Sequence, residues 1–168
     1  MSVLAPGLLG AASLLLLVAG AVKATDPSRT VGALAALGWP SSPVVVRAGA
    51  VVEASFGALG LLVGGAIVAL VVAASFAGFA LFVAAALRSG TPVGTCGCFA
   101  YEDTPPHPRH VAVDGAFALG AGVAAVARPD ALIDAPAASW GLAALLAAAA
   151  FFALTSRPTR RPGGLTQG

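Results

Sequence analysis

Long uncharged apolar runs, separated by short clusters of charge, proline and glycine, dominate this chain. No charged side chain occurs between Leu4 and Val22, and Lys23 closes that run. A second apolar tract begins near Val44, carries Arg47 and Glu53, and then continues uncharged to Leu87. A helix that crosses a hydrocarbon core needs about 20 mostly apolar residues, so this tract is too long for one span. Gly64 and Gly65 fall near its middle, and glycine tolerates positive φ. The pattern therefore predicts two helices, about 44–63 and 66–87, joined by a tight turn. Val111 to Ala127 supplies a further span, and Ala137 to Thr155 the last, bounded by Pro136 and the Arg157, Arg160, Arg161 tail. With the first span at about 4–22, the expectation is an all-α transmembrane bundle of five spans.

The connections are short. Asp26 followed by Pro27 reads as a helix start, with the carboxylate capping free N–H groups and proline where its missing donor does no harm. The run Ser28 to Leu37 then puts Val31, Leu34 and Ala35 on one face of a short interfacial helix, closed by Gly38 and Pro40, with Trp39 at headgroup depth. The segment from Arg88 to His110 carries Pro92, Pro105, Pro106 and Pro108 and reads as irregular. The transmembrane unit is expected over 1–156, followed by a basic, disordered tail over 157–168. Val22-Lys23-Ala24 loosely resembles a leader cleavage site. Against that, no positive side chain precedes Leu8 and the chain does not become polar afterwards, so the first helix reads as retained. Small residues, including Gly57, Gly60, Gly64 and Gly65, would permit close helix contact in lipid, although a coding bias toward Ala and Gly gives the same pattern.

Composition agrees with a lipid environment. Of 168 residues, 58% are hydrophobic and 10% charged, whereas a soluble domain carries roughly 25% charged residues. Nine basic and seven acidic side chains are too few to coat a soluble globule, which excludes a secreted or cytosolic enzyme. The net charge of +2, with no Lys/Arg tract, gives no reason to expect a nucleic-acid partner. With the Arg157, Arg160, Arg161 tail placed in the cytoplasm, Lys23, Arg29, Arg88 and Arg109 fall there too and only Arg128 lies outside. Five spans then put the cysteine segment on the cytoplasmic side.

Candidate chemistry concentrates in two places. The chain's two cysteines, Cys96 and Cys98, flank Gly97. A Cys-Gly-Cys pair can close on itself, but under strain, and strained disulfides are the exchangeable ones. The competing uses are a metal site, in which Cys96, Cys98, His107 and His110 would suit zinc or copper(I), and a pair of inert thiols beside solvated histidines. Glu53 lies about ten residues into its span and near the midplane, where an ionisable group is expensive and normally faces a partner in the bundle. Lys23, Arg47 and Arg88 are the candidate partners; the bland alternative starts the span later and leaves Arg47 and Glu53 in the interface. Asp114, one helical turn after His110, could orient that histidine. No hydrolase triad, phosphate loop or dinucleotide fingerprint occurs.

The order Ala19-Gly20, Lys23, Asp26-Pro27, then Glu53 within a second span, then Cys96-Gly97-Cys98-Phe99 after a third, resembles the methylamine utilisation protein MauE family, membrane proteins related to DoxX-like proteins. The resemblance covers about residues 4–127; where the family pattern continues with glycine, this chain has Ala100. It implies a four-helix DoxX-like core plus a C-terminal span. It further implies a role in methylamine metabolism, in disulfide formation or maturation of methylamine dehydrogenase alongside a thioredoxin-like partner. On that reading Cys96 and Cys98 are the redox pair, and Lys23, Asp26 and Glu53 match polar positions without an assigned role. No cofactor is implied. The other classes to weigh are the metal-handling protein above and a non-catalytic assembly or transport subunit in which Glu53 is paired for structure.

Overall fold

Residues 3–90 and 106–155 are described by a computed structural model, and within them the chain is helical, with no strand. In order come α1 (Leu4–Thr25), α2 (Ser28–Ala36), α3 (Pro43–Leu62), α4 (Ala66–Ser89), α5 (Pro108–Ala127), a 3-10 turn (Leu132–Asp134) and α6 (Ala137–Thr155). All but α2 and the 3-10 turn are long and apolar enough to cross a membrane. The protein is a multi-pass helical bundle, as the five apolar runs predict.

The helix ends follow local chemistry. α1 runs three residues beyond its predicted end and includes Lys23. It stops at Asp26, which is extended (φ −131°, ψ 94°) as expected for a residue before proline. The Asp26 carboxylate accepts hydrogen bonds from the Ser28 amide at 3.1 Å and the Ser28 hydroxyl at 2.6 Å, so it caps the next helix as predicted. At the far end of α2, Gly38 adopts φ +70°. Its N–H donates to the Ala35 carbonyl (2.9 Å) and the Trp39 N–H donates to the Leu34 carbonyl (3.0 Å), closing a Schellman motif. The face of α2 differs from expectation: Ala33 is buried and Ala35 exposed. Ala33 packs with Ala86 of α4, flanked by Phe82 and Leu37, and in so short an Ala-rich helix that contact, rather than local apolarity, selects the face.

α1 is the core helix. Of its apolar window 67% is buried, against 17%, 22%, 28% and 22% for the other four spans. It runs against α3 at backbone distance: a methyl placed on Gly20 would lie 2.5 Å from the Ala54 nitrogen, and one on Gly57 would lie 2.5 Å from the Leu17 nitrogen. The small residues of this seam are therefore a packing requirement of the α1–α3 crossing. α6 seats on the opposite part of α1, where Leu142 covers Gly7 and Ala143 and Leu132 cover Gly10. α4 and α5 meet through Phe76 and Phe117, stacked at 5.3 Å.

Gly64 and Gly65, at φ +67° and +88°, form the predicted turn between α3 and α4. The Gly65 N–H donates to the Pro129 carbonyl at 2.8 Å, which pins this turn to the α5–α6 connection. That end of the bundle holds Arg128. The opposite end collects Lys23, Asp26, Arg29, Arg47, Arg88, Arg109 and both histidines, because the helices alternate in direction.

Candidate functional site

The charged centre lies at the basic end of the bundle, inside rather than on it. Lys23, near the end of α1, forms an ion pair with Glu53 of α3; the two side chains are 6% and 22% exposed. Side chains on a helix lean toward its N-terminus. On the antiparallel helices α1 and α3 this tilts Lys23 inward and Glu53 outward, so residues about a turn apart in depth meet. Glu53 stands ten residues after Pro43, about 15 Å along the helix axis and at its middle. The Lys23 ammonium also lies 4.3 Å from the centroid of the Phe79 ring on α4, a cation–π contact that adds a third helix to the centre.

Of the three partners weighed for Glu53, Lys23 is the one the fold delivers. Arg47 turns to the C-terminus of α1 instead, where its Nε–H donates to the Ala24 carbonyl at 2.9 Å and places positive charge at the negative end of the helix dipole. Asp26 sits at the exposed α1–α2 junction. Its hydrogen bonds from Ser28, aided by the charges of Arg29 and Arg47, hold its carboxyl below the ordinary aspartate range. It is a structural cap and lies outside the buried pair.

The histidines depart from the loop reading. α5 begins at Pro108, three residues earlier than the predicted Val111, because His107 caps it: His107 Nδ1 accepts from the Arg109 N–H at 3.2 Å, and Pro108 occupies the first helical position. His110 is consequently helical and 4% exposed. Its Nε2–H donates to the Leu154 carbonyl of α6 at 3.2 Å, and its Nδ1 accepts from the His107 N–H at 3.3 Å. A neutral imidazole provides one donor and one acceptor, and both are used. Asp114 does not orient this ring. It is 2% exposed, and one of its carboxylate oxygens has no hydrogen-bond partner among the described residues. The signal for Asp114 was present in the sequence: with α5 starting at Pro108 it is, like Glu53, an acid inside an apolar span.

Cys96 and Cys98 lie outside the described residues. So does half of the two-cysteine, two-histidine metal set, and among the described residues no group of three His, Cys, Asp or Glu could hold a metal ion. The flanks of the segment are described: Gly90 (φ +63°) ends α4 after Arg88, and His107 opens α5 before Arg109, both at the end that holds the Lys23–Glu53 pair.

A cavity of about 280 Å³ adjoins that pair, walled by α2, α3 and α4. Lys23 and Glu53 line it together with Trp39, Gly49, Phe79 and Phe82. Trp39 meets Phe82 edge to face at 5.7 Å. The sequence reading missed this cavity, since neither phenylalanine nor Gly49 stands out from the apolar runs around it.

A family model described as methylamine utilisation protein MauE matches residues 1–127. No curated protein matches the chain, and no solved structure does.

Proposed function

This chain belongs to the MauE family, and from that premise we propose that it is a thiol–disulfide relay of the cell membrane, with Cys96 and Cys98 as the exchanging pair. A thiolate of the client attacks the Cys96–Cys98 disulfide, giving a mixed disulfide and one free thiolate on the relay. The client's second thiolate then displaces the relay, so the client gains a disulfide and the relay holds two thiols. Two electrons and two protons have passed to the relay. The disulfide of a thioredoxin-like partner takes them in the reverse exchange. The family description points to methylamine utilisation as the pathway in which the client works.

The observation that supports this reading most is the charge at the segment's flanks: Arg88 in the last turn of α4 and Arg109 in the first turn of α5. Cations near a thiol favour the thiolate, the species that exchanges. The occupied ring nitrogens of His110 weigh against the competing zinc or copper site. By the positive-inside rule the end with Lys23, Arg29, Arg47, Arg88 and Arg109 faces the cytoplasm, and residues 1–156 form the membrane unit ahead of the 157–168 tail.

The test is a Cys96→Ser, Cys98→Ser variant in cells that depend on the protein. Clients of the relay should accumulate with free thiols, read by differential alkylation. Unchanged client oxidation would favour an assembly or transport subunit in which the cysteines are incidental.

A further inference from the structure

Within the cavity beside Lys23 and Glu53, the walls are aromatic and aliphatic apart from Thr30, and the two charges cancel. We infer that it is a binding site for the head of an isoprenoid quinone or its quinol.

Five properties lead there. The volume, about 280 Å³, falls just below the range of drug-sized ligand pockets, which run from about 300 Å³ upward, so it suits a single substituted ring rather than a whole lipid. The ion pair is neutral overall, so a ligand with net charge would give up its hydration without a counter-charge to replace it, whereas a neutral dipolar ring would not. The pair also offers both hydrogen-bonding senses. Lys23 carries three N–H donors, of which Glu53 engages part, and the Glu53 carboxylate keeps acceptor capacity. A quinone carbonyl would accept from Lys23, and a quinol hydroxyl would donate to Glu53. Phe79, which carries the Lys23 ammonium over its ring, and Phe82 make part of the wall aromatic. Trp39 and Val45, which also line the cavity, are 43% and 66% exposed and mark an edge where an isoprenoid tail can leave toward lipid.

The described residues that line the site take no part in thiol exchange, so the inference stands apart from the relay reading. Gly49 gives the means to close it: this residue lines the cavity, and a methyl built on it meets nothing within 4 Å. The chain has two tryptophans, Trp39 and Trp140. In a Trp140→Phe background, purified in detergent, titration with a ubiquinone carrying one isoprene unit should quench Trp39 fluorescence saturably. Gly49→Leu should weaken that binding at least tenfold, while Gly49→Ala binds within a few-fold of the parent. Gly49→Val replaces the leucine variant should the latter not purify as a folded species. The Cys96→Ser, Cys98→Ser variant should bind normally, so a failed relay and a failed quinone site give different results. Linear, unsaturable quenching, saturable quenching that Gly49→Leu leaves unchanged, or displacement by oleate at equal concentration would each overturn the inference, the last by assigning the cavity to a lipid.

Discussion

Lys23 and Glu53 neutralise one another across the α1–α3 seam, one side chain leaning inward from a helix end and the other outward from a helix centre. Removing one partner of a buried ion pair leaves an uncompensated charge and costs about 3–5 kcal/mol, while replacing both with apolar residues of similar size is often neutral. Lys23→Met should therefore lower the thermal unfolding temperature sharply. Lys23→Met, Glu53→Leu should recover most of the loss, as measured on detergent-purified protein. If the double variant is as unstable as the single, the pair does more than neutralise charge.

The same seam depends on glycine. A methyl on Gly57 would press on the α1 backbone, whereas one on Gly49, four residues from Glu53 in the same helix, would enter the cavity. Gly57→Ala should cost roughly 1–3 kcal/mol through overpacking. Gly49→Ala should be neutral or mildly stabilising because alanine restricts the unfolded chain. Parallel thermal melts of the two variants compare the positions directly.

Asp26 gives a pH-dependent signature at the α1–α2 junction. Its carboxyl is held below the ordinary aspartate value chiefly by the hydrogen bonds from Ser28. Because the folded value is depressed, the stabilisation is fully present above the unfolded value and is lost as pH falls through the folded one. Protection of the Ser28 amide from hydrogen exchange, corrected for intrinsic rate, should fall across that acidic window, and Asp26→Ala should abolish the protection at neutral pH.

The histidines separate relay from metal protein. With His107 capping α5 and His110 bonded to the Leu154 carbonyl, the relay account expects elemental analysis of the purified protein to find no stoichiometric zinc or copper. It also expects His110→Ala to cost about 1–3 kcal/mol, since a buried carbonyl loses its donor. Bound metal that is lost in the His107→Ala, His110→Ala variant would contradict it.

Much of the fold could be read from where charge is missing. The spans, the Gly64-Gly65 turn and the Asp26 cap are local signals: length of apolar run, positive φ and a carboxylate before proline. The α5 start escaped because histidine is an uncommon cap, and its ring is as well placed as an aspartate only once Pro108 fixes the turn. The face of α2 escaped because it is chosen by Phe82 and Ala86, about fifty residues away in sequence. At the candidate site, Glu53 was conspicuous as an acid in an apolar span, but the choice of Lys23 over Arg47 required the opposite tilts of two antiparallel helices. Asp114 carried the same signal as Glu53, partly hidden by the late predicted start of its helix.

The relay itself rests on Cys96 and Cys98 exchanging with a partner, and the most direct measurement is acid-quenched thiol trapping in membranes. Alkylation before and after reduction should show a wild-type pair that cycles between two thiols and a disulfide. One of the variants Cys96→Ser and Cys98→Ser should accumulate a reductant-sensitive mixed disulfide with another protein. A pair that stays reduced under every condition, with no adduct in either variant, contradicts the account.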